Sequence, residues 1–427
     1  MIVKIEVSSN DLKETLNIAQ ATLSSDSDIT SHFLFSCVGQ KVFVLSSELP
    51  RTFSKIPLNG AKVTYDEDSE ELAEELASFT VNGKRLLKAS TVAQGVISIE
   101  HENGEVKFSS DHGVLTFGSL DPHAFPGWET RLSKVEENSS WKVSADVLAD
   151  ILVGLKPYVS EDEVKRSELC LIAFIEGIAY GCDAFGLGMA RHEEIKDVDG
   201  VKIHVRDIGS MYKYLRAHSG NDVTVLSSPQ ATFMSMEDGA VYGFMDLPSR
   251  YPDITKKYSD AFDYKPARVW ALDKGRFLSA ISFLSAGASG TDTTCTFLDS
   301  LSEPLAPPRL EMQSESGRGV LGYDLQETSV TPILEDGVSL KEGDSSLMST
   351  LGERMIVEDM ILREKGEEKQ DIPTFKFNSA SFKRILDTVE ETIYFGVERE
   401  GANRGYLVFK VDQPSGVQIA SVVGWVE

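Results

Sequence analysis

The sequence predicts an α+β fold of three repeated units, each with two helices and several short antiparallel strands. Three observations lead there. Helical periodicity recurs near 9–24, 83–94, 144–158, 206–218, 272–287 and 379–391, two stretches to each third of the 427 residues. Short strand-like runs between them are broken by Asn103-Gly104 in SIEHENGEVKF and Asp238-Gly239 in FMSMEDGAVYGF, dipeptides that reach positive φ easily and join antiparallel strands. Finally, parts of the chain echo one another. Phe108, Phe117 and Gly118 in FSSDHGVLTFG match Phe233, Tyr242 and Gly243 in FMSMEDGAVYG, with an aromatic-to-aromatic spacing of nine each time. Each passage then reaches an aromatic–proline pair, Phe125-Pro126 and Tyr251-Pro252. A second echo links Phe79-Thr80-Val81-Asn82-Gly83 with Phe375-Lys376-Phe377-Asn378-Ser379, and both open a helix with Lys and Arg in its first turns. Either echo alone is within the reach of chance; the two together, with the paired helices, favour a triplication.

Taken in order, the first unit spans 1–130. It opens on the alternating MIVKIEVSSN, which reads as a strand and lacks signal-peptide architecture. The second spans 138–260, after a charged linker at Arg131–Ser140. The third spans 266–427, after a linker at Tyr258–Pro266. It carries an extra polar run near 342–371, including ILREKGEEKQD, which reads as a solvated insertion. Ser, Asp or Asn stands at most helix starts, where a side-chain oxygen can cap free backbone N–H groups. At 41% hydrophobic and 26% charged, the chain can bury several ordinary cores. No apolar run approaches the ~18–20 residues of a membrane helix. Cys37, Cys170, Cys182 and Cys295 lie singly in apolar strand-like surroundings and read as small buried hydrophobes in a reducing compartment.

The net charge of −25 excludes a generally basic DNA-coating protein. It leaves room for a protein that gathers its bases on one surface. The helices do carry bases: Lys13 on the first; Lys84, Arg85 and Lys88 on the second; Arg206, Lys213 and Arg216 on the fourth; Lys274 and Arg276 on the fifth; Lys383 and Arg384 on the sixth. Lys165 and Arg166 follow the third. Lys84 and Lys88 are four apart, Lys213 and Arg216 three, so each pair shares a helix face. For any single residue, an ordinary solvated face is the better reading. The joint pattern, in a chain with 67 acids against 42 bases, points to one curved basic surface suited to phosphates without base readout. No aromatic cluster accompanies the bases, so duplex rather than single-stranded DNA is the expected ligand.

Catalytic signatures are missing. There is no P-loop, no dinucleotide-binding glycine fingerprint and no Gly-x-Ser-x-Gly elbow. SGTDTTC at 289–295 lacks the lysine of a phosphate loop. His192 with Glu193 and Glu194 reads as a solvated charge group beside Arg191, and Asp183 as a turn residue, since a lone carboxylate without base or metal does nothing distinctive. No catalytic residue, metal or cofactor is expected.

The ordered series over three units resembles the beta subunit of bacterial DNA polymerase III, the sliding-clamp family, along nearly the whole chain. SFTVNGKRLLKASTVAQG with DPHAFPGW resembles the closing half of that family's first domain. SADVLADILVGLKPYVSEDEVKRSELCLIAFIEGIAYGCDAFGLGMARHE resembles its second, and FKFNSASFKRILDTV its third-domain helix entry. The resemblance implies three clamp-type domains, each with two helices backed by antiparallel sheets. It also implies a homodimer closed head to tail into a ring, with helices facing duplex DNA. The implied partners are a replicative polymerase and a clamp loader; no membrane is involved, and the implied compartment is the bacterial cytoplasm. It implies as well a pocket for short hydrophobic partner peptides, lined here by Cys182, Asp183, Ala184, Phe185, Gly186 and Leu187, with Pro252 and Val423 completing it and Leu169 nearby.

Two departures bear on that pocket. The family's His-Arg pair is Phe185-Gly186 here, and its Met-Pro-x-Arg-Leu ending is Val423-Gly424-Trp425-Val426-Glu427. Trp425 reads equally as a pocket anchor or a core residue. Such divergence would suit a clamp encoded by a bacterial virus. Two readings compete with the ring: a non-encircling monomeric processivity factor of the same fold, and a β-rich interaction protein unrelated to DNA.

Overall fold

The structure, a computed structural model, describes residues 2–24, 27–48, 51–65, 77–127, 140–183, 186–227, 231–245, 251, 269–275, 278–279, 281–282, 292–298, 309–314, 321–324, 374–387, 392–399, 405–412 and 415–424. Local chemistry sets the first elements. In β1 (Val3–Ser8) every second residue is buried, as in a strand with one face on a core. Ser8 closes the strand and caps α1 (Ser9–Ala19), its hydroxyl oxygen accepting the N–H of Asp11 at 3.1 Å. Leu12, Leu16 and Ala19 recur at helical spacing and are buried. The strands β2 (His32–Val38), β3 (Lys41–Glu48), β4 (Thr52–Pro57), β5 (Lys62–Tyr65) and β6 (Ala77–Asn82) follow. Asn82 caps α2 (Gly83–Val92) through the N–H of Arg85 at 3.1 Å. A meander of β7 (Val96–Glu102), β8 (Glu105–Ser110) and β9 (Gly113–Gly118) ends this set. The β7–β8 turn is Asn103-Gly104, both at positive φ (50° and 80°).

The second set runs β10 (Ser140–Ser144), α3 (Ala145–Leu155), the short α4 (Glu163–Arg166), β11 (Leu171–Ile175), β12 (Ile178–Cys182), β13 (Gly186–Arg191), β14 (Lys202–His204), α5 (Val205–Ala217), β15 (Asp222–Ser227), β16 (Ala231–Ser235) and β17 (Val241–Met245). The third runs β18 (Val269–Asp273), β19 (Asp292–Leu298), β20 (Arg309–Ser314), β21 (Leu321–Asp324), β22 (Thr374–Asn378), α6 (Ser379–Leu386), β23 (Thr392–Arg399), β24 (Gly405–Asp412) and β25 (Gln418–Gly424). Five expected helices coincide with α1, α2, α3, α5 and α6. Of the stretch 272–287, residues 274, 275, 278, 279, 281 and 282 are helical and the others past Asp273 lie outside the described residues. So does the polar run near 342–371.

The sheets show the repetition. β1-β7-β8-β9, β10-β15-β16-β17 and β18-β23-β24-β25 share one strand order, and β6-β2-β3-β4, β14-β11-β12-β13 and β22-β19-β20-β21 share another. Antiparallel pairing of β4 with β17 and of β13 with β25 fuses four of these half-sheets into two eight-stranded sheets. The first half-sheet, extended by β5, and the last one stand alone with five and four strands.

The chain forms two compact units, Met1–Ala149 with Arg206–Pro248, and Asp150–Val205 with Ser249–Glu427. Each holds one eight-stranded sheet, so the strands of the second set are shared out between them. The core of the first unit includes stacked Phe35 and Phe79 rings, 5.2 Å apart, and a buried hydroxyl cluster. In that cluster Thr22 Oγ1 lies 2.6 Å from Ser46 Oγ and 2.9 Å from Ser54 Oγ, which satisfies three polar groups that burial would otherwise penalise. In the second unit Tyr158 is fully buried against β13: a Cβ on Gly188 would lie 2.4 Å from its ring.

Candidate functional site

The bases of α2 stand on its outer face. Lys84, Arg85 and Lys88 are exposed, while Leu86, Ala89 and Ser90 are buried. α5 divides the same way: Arg206, Lys213 and Arg216 are exposed, and Ile208, Met211, Tyr214 and Leu215 are buried. Arg216 is engaged. Its Nη1 lies 3.2 Å from Asp146 Oδ1, and its guanidinium sits over the Tyr212 ring. Hydrogen bonds from Ser219 and Gly220, with the Arg216 charge, hold the Asp146 carboxyl below its ordinary pKa. Lys13 is half-buried and donates to the Ala93 carbonyl at 3.0 Å. Arg166 is exposed at the end of α4; Lys274 and Lys383 are half-exposed. Arg276 and the side chain of Lys165 lie outside the described residues.

An ion pair and a carboxylate–histidine contact position these elements. Asp207, almost fully buried on the inner side of α5, meets Arg51 Nη2 at 3.1 Å. Arg51 sits between β3 and β4, so the pair ties α5 to that sheet. Burial pushes the Asp207 carboxyl up to about 6, against the opposing pull of Arg51. Glu163 on α4 meets buried His204 Nε2 at 3.2 Å, which anchors the turn carrying Arg166 to the strand that leads into α5. Sequence reasoning missed all four residues. Asp207 could have been flagged as an acid in the first turn of a helix, whereas Arg51, Glu163 and His204 carry no local signal.

Several of the residues expected to line the pocket are neighbours in one sheet. Cys182 and Leu187 face each other across the β12–β13 pair, and Gly186 faces Val423 across β13–β25. Leu187 joins Leu171, Ala173, Tyr180, Met189, Tyr251 and Ala420 in one buried cluster, with half-buried Cys182 packed against it. Among the described residues the Tyr251 hydroxyl, buried there, has no hydrogen-bond partner. Burial drives its pKa well above the ordinary value, and Cys182 and Tyr180 add to the shift. Leu169 is buried in the 3₁₀ turn before β11. Ala184, Phe185, Pro252 and Trp425 lie outside the described residues.

Asp183 closes the hairpin turn. Its Oδ1 accepts the Gly186 N–H at 2.8 Å, and its Oδ2 accepts Nη2 of Arg384 on α6 at 2.9 Å. The pair joins residues 201 apart in sequence.

His192 accepts the Glu194 N–H with its ring, and exposed Glu193 pairs with Lys196. Among the described residues no group of three or more His, Cys, Asp or Glu could hold a metal ion, and no helix is long and apolar enough to cross a membrane.

No protein-family model matches the chain, and no curated protein matches it either. Solved structures do. The DNA polymerase III beta subunit from Thermotoga maritima superposes with a TM-score of 0.69 at 15% identity, covering 100% of both chains. The DNA polymerase sliding clamp from Bacillus subtilis gives 0.69 at 14%, again with 100% of both covered. The sliding clamp from Pseudomonas aeruginosa bound to griselimycin gives 0.69 at 12% and the same coverage. From end to end, this chain has the fold of the bacterial sliding clamps.

Proposed function

We propose that the protein is a DNA sliding clamp, a processivity factor that catalyses no reaction, encircles duplex DNA and tethers a replicative polymerase to it. The observation that carries this reading is the fold likeness over the full length of three clamp structures at once. The domains would be 1–130, 138–260 and 266–427, each with one copy of the two strand orders. The ring would be a homodimer, opened and closed by a clamp loader in a bacterial cytoplasm. Its closing edges would be β9 and β21, each one of the two terminal strands of an unfused sheet and the counterparts of β17 and β4 in the fused pairing. β9 has exposed Val114 and Leu115, one on each face of the edge strand, and a second copy paired along this edge would cover them.

Lys84, Arg85, Lys88, Arg206 and Lys213 would meet phosphates through water. Long flexible cations make contact that is weak, salt-sensitive and blind to sequence, and weak contact permits sliding. Retention would come from ring topology, which raises the effective concentration of a bound polymerase at the primer end. Partner peptides would dock beside Cys182, Leu187, Val423 and Tyr251.

Retention on nicked circular and linearised plasmid, with a loader supplied, tests the reading. A clamp stays on the circle and runs off once the DNA is cut. Equal retention on both forms would mean surface binding and would overturn ring closure.

A further inference from the structure

We propose that Arg384 is a positioning residue of the partner pocket: its ion pair with buried Asp183 sets the Asp183–Gly186 turn and thereby the affinity for a hydrophobic peptide. The inference rests on the pocket reading above.

The Asp183 side chain is 3% exposed. A carboxylate so buried needs a partner for each oxygen, because desolvation penalises the charge. One oxygen is taken by the turn itself, through the Gly186 N–H; the other is taken by Arg384. The turn's second hydrogen bond, Asp183 N–H to the Gly186 carbonyl, is longer at 3.2 Å. The carboxylate is therefore the hub where the hairpin's own closure meets helix α6. The next helix residue grips the other end of the turn: a Cβ on Gly186 would lie 3.1 Å from Ile385 Cδ1. Arg384 and Ile385 thus hold both ends of a turn whose flanking residues, Cys182 and Leu187, form the pocket wall. A planar guanidinium fixes direction as well as charge, which a lysine ammonium does not. Arg384 stands on a helix expected to carry phosphate contacts, yet its charge is directed to the pocket turn.

The experiment uses the full chain and a fluorescein-labelled Gly-Leu-Gly-Leu-Phe peptide as probe. It is run on wild type, Arg384→Gln, Arg384→Lys, Asp183→Asn and the double variant Asp183→Asn with Arg384→Gln. Peptide affinity is read by fluorescence anisotropy, and turn closure by hydrogen exchange at the Gly186 amide. Arg384→Gln is expected to weaken the peptide about tenfold and to speed Gly186 exchange, while strand amides around Phe35 and Phe79 in the other compact unit keep their rates. Arg384→Lys falls between the two. The double variant, a neutral hydrogen-bonded pair, recovers part of both losses, so the single effects are not additive. It also keeps the test decisive if Arg384→Gln alone leaves the charge of Asp183 too poorly paired to fold. Unchanged Gly186 exchange and peptide affinity in Arg384→Gln would overturn the inference. Loss of retention on nicked circles with intact peptide binding would overturn it too, by returning Arg384 to DNA. If wild type does not bind the peptide, the pocket reading fails on its own, and Gly186 exchange still decides whether Arg384 sets the turn.

Discussion

The Tyr251 hydroxyl stands inside an apolar cluster and has no hydrogen-bond partner among the described residues. A buried donor left unpaired loses its water contacts and gains nothing in return. Tyr251→Phe is therefore expected to leave stability unchanged or raise it by about 1 kcal/mol, measured as a higher urea midpoint at constant slope. A loss above that size would mean the hydroxyl has a partner in the folded protein. Single residues also mark where sequence reading reaches and where it stops. Ser8 and Asn82 were readable as caps because a cap acts within three residues. Asn103-Gly104 was readable because positive φ is a property of the dipeptide itself. Asp183 was placed correctly as a turn residue, since its bond to Gly186 is local. Its other partner, Arg384, had no signal: helix membership shows that a base is present but not which neighbour it meets across the fold.

At the scale of elements, α5 depends on Asp207 and strand β17 on Gly243. Asp207 is buried and its pKa is raised to about 6, above the 3.8 of an ordinary aspartate. The sign follows from linkage. The folded state holds a proton more tightly than the unfolded state, so this contribution is fully present below about pH 4 and is lost as pH rises through 6. Relative to Asp207→Asn, which cannot titrate, wild type should lose about 1 kcal/mol between pH 5 and pH 7 in urea unfolding. A flat difference would place the carboxyl at an ordinary pKa. Gly243 lies opposite Phe53 in the β4–β17 pair, and a Cβ there would come within 2.1 Å of the Phe53 ring and 2.9 Å of the Phe233 ring. Gly243→Ala should cost about 1–3 kcal/mol, because neither ring can yield without disturbing the other. The echo between Phe117-Gly118 and Tyr242-Gly243 revealed this glycine in the sequence but not its purpose.

At the scale of the whole molecule, the repeats were readable and the fused sheets were not. Helices, hairpins and echoes are local patterns, so they showed two helices per third of the chain. The β4–β17 and β13–β25 pairings join strands far apart in sequence, and their register follows from packed shapes such as Gly243 under Phe53. The same holds for edges that would meet a second copy. If exposed bases on α2 and α5 contact phosphates, Ala at Lys84, Arg85, Arg206 and Lys213 should shorten retention on nicked circles and flatten its salt dependence, with oligomeric state unchanged; equal retention would move the DNA surface elsewhere. Ring closure makes the stronger demand. Leu115 on β9 pairs inward with Phe108 of β8, yet is half-exposed on an edge strand, where a charge costs the single chain little. In a dimer joined through that edge, Leu115→Lys would bury an unpaired ammonium in each interface. Wild type should therefore scatter light as twice the 46.9 kDa chain and Leu115→Lys as one chain, with unchanged unfolding of the monomer and no retention on circular DNA. A variant that remains dimeric and topologically bound would show that β9 is not the closing edge, and the ring would have to close through another surface.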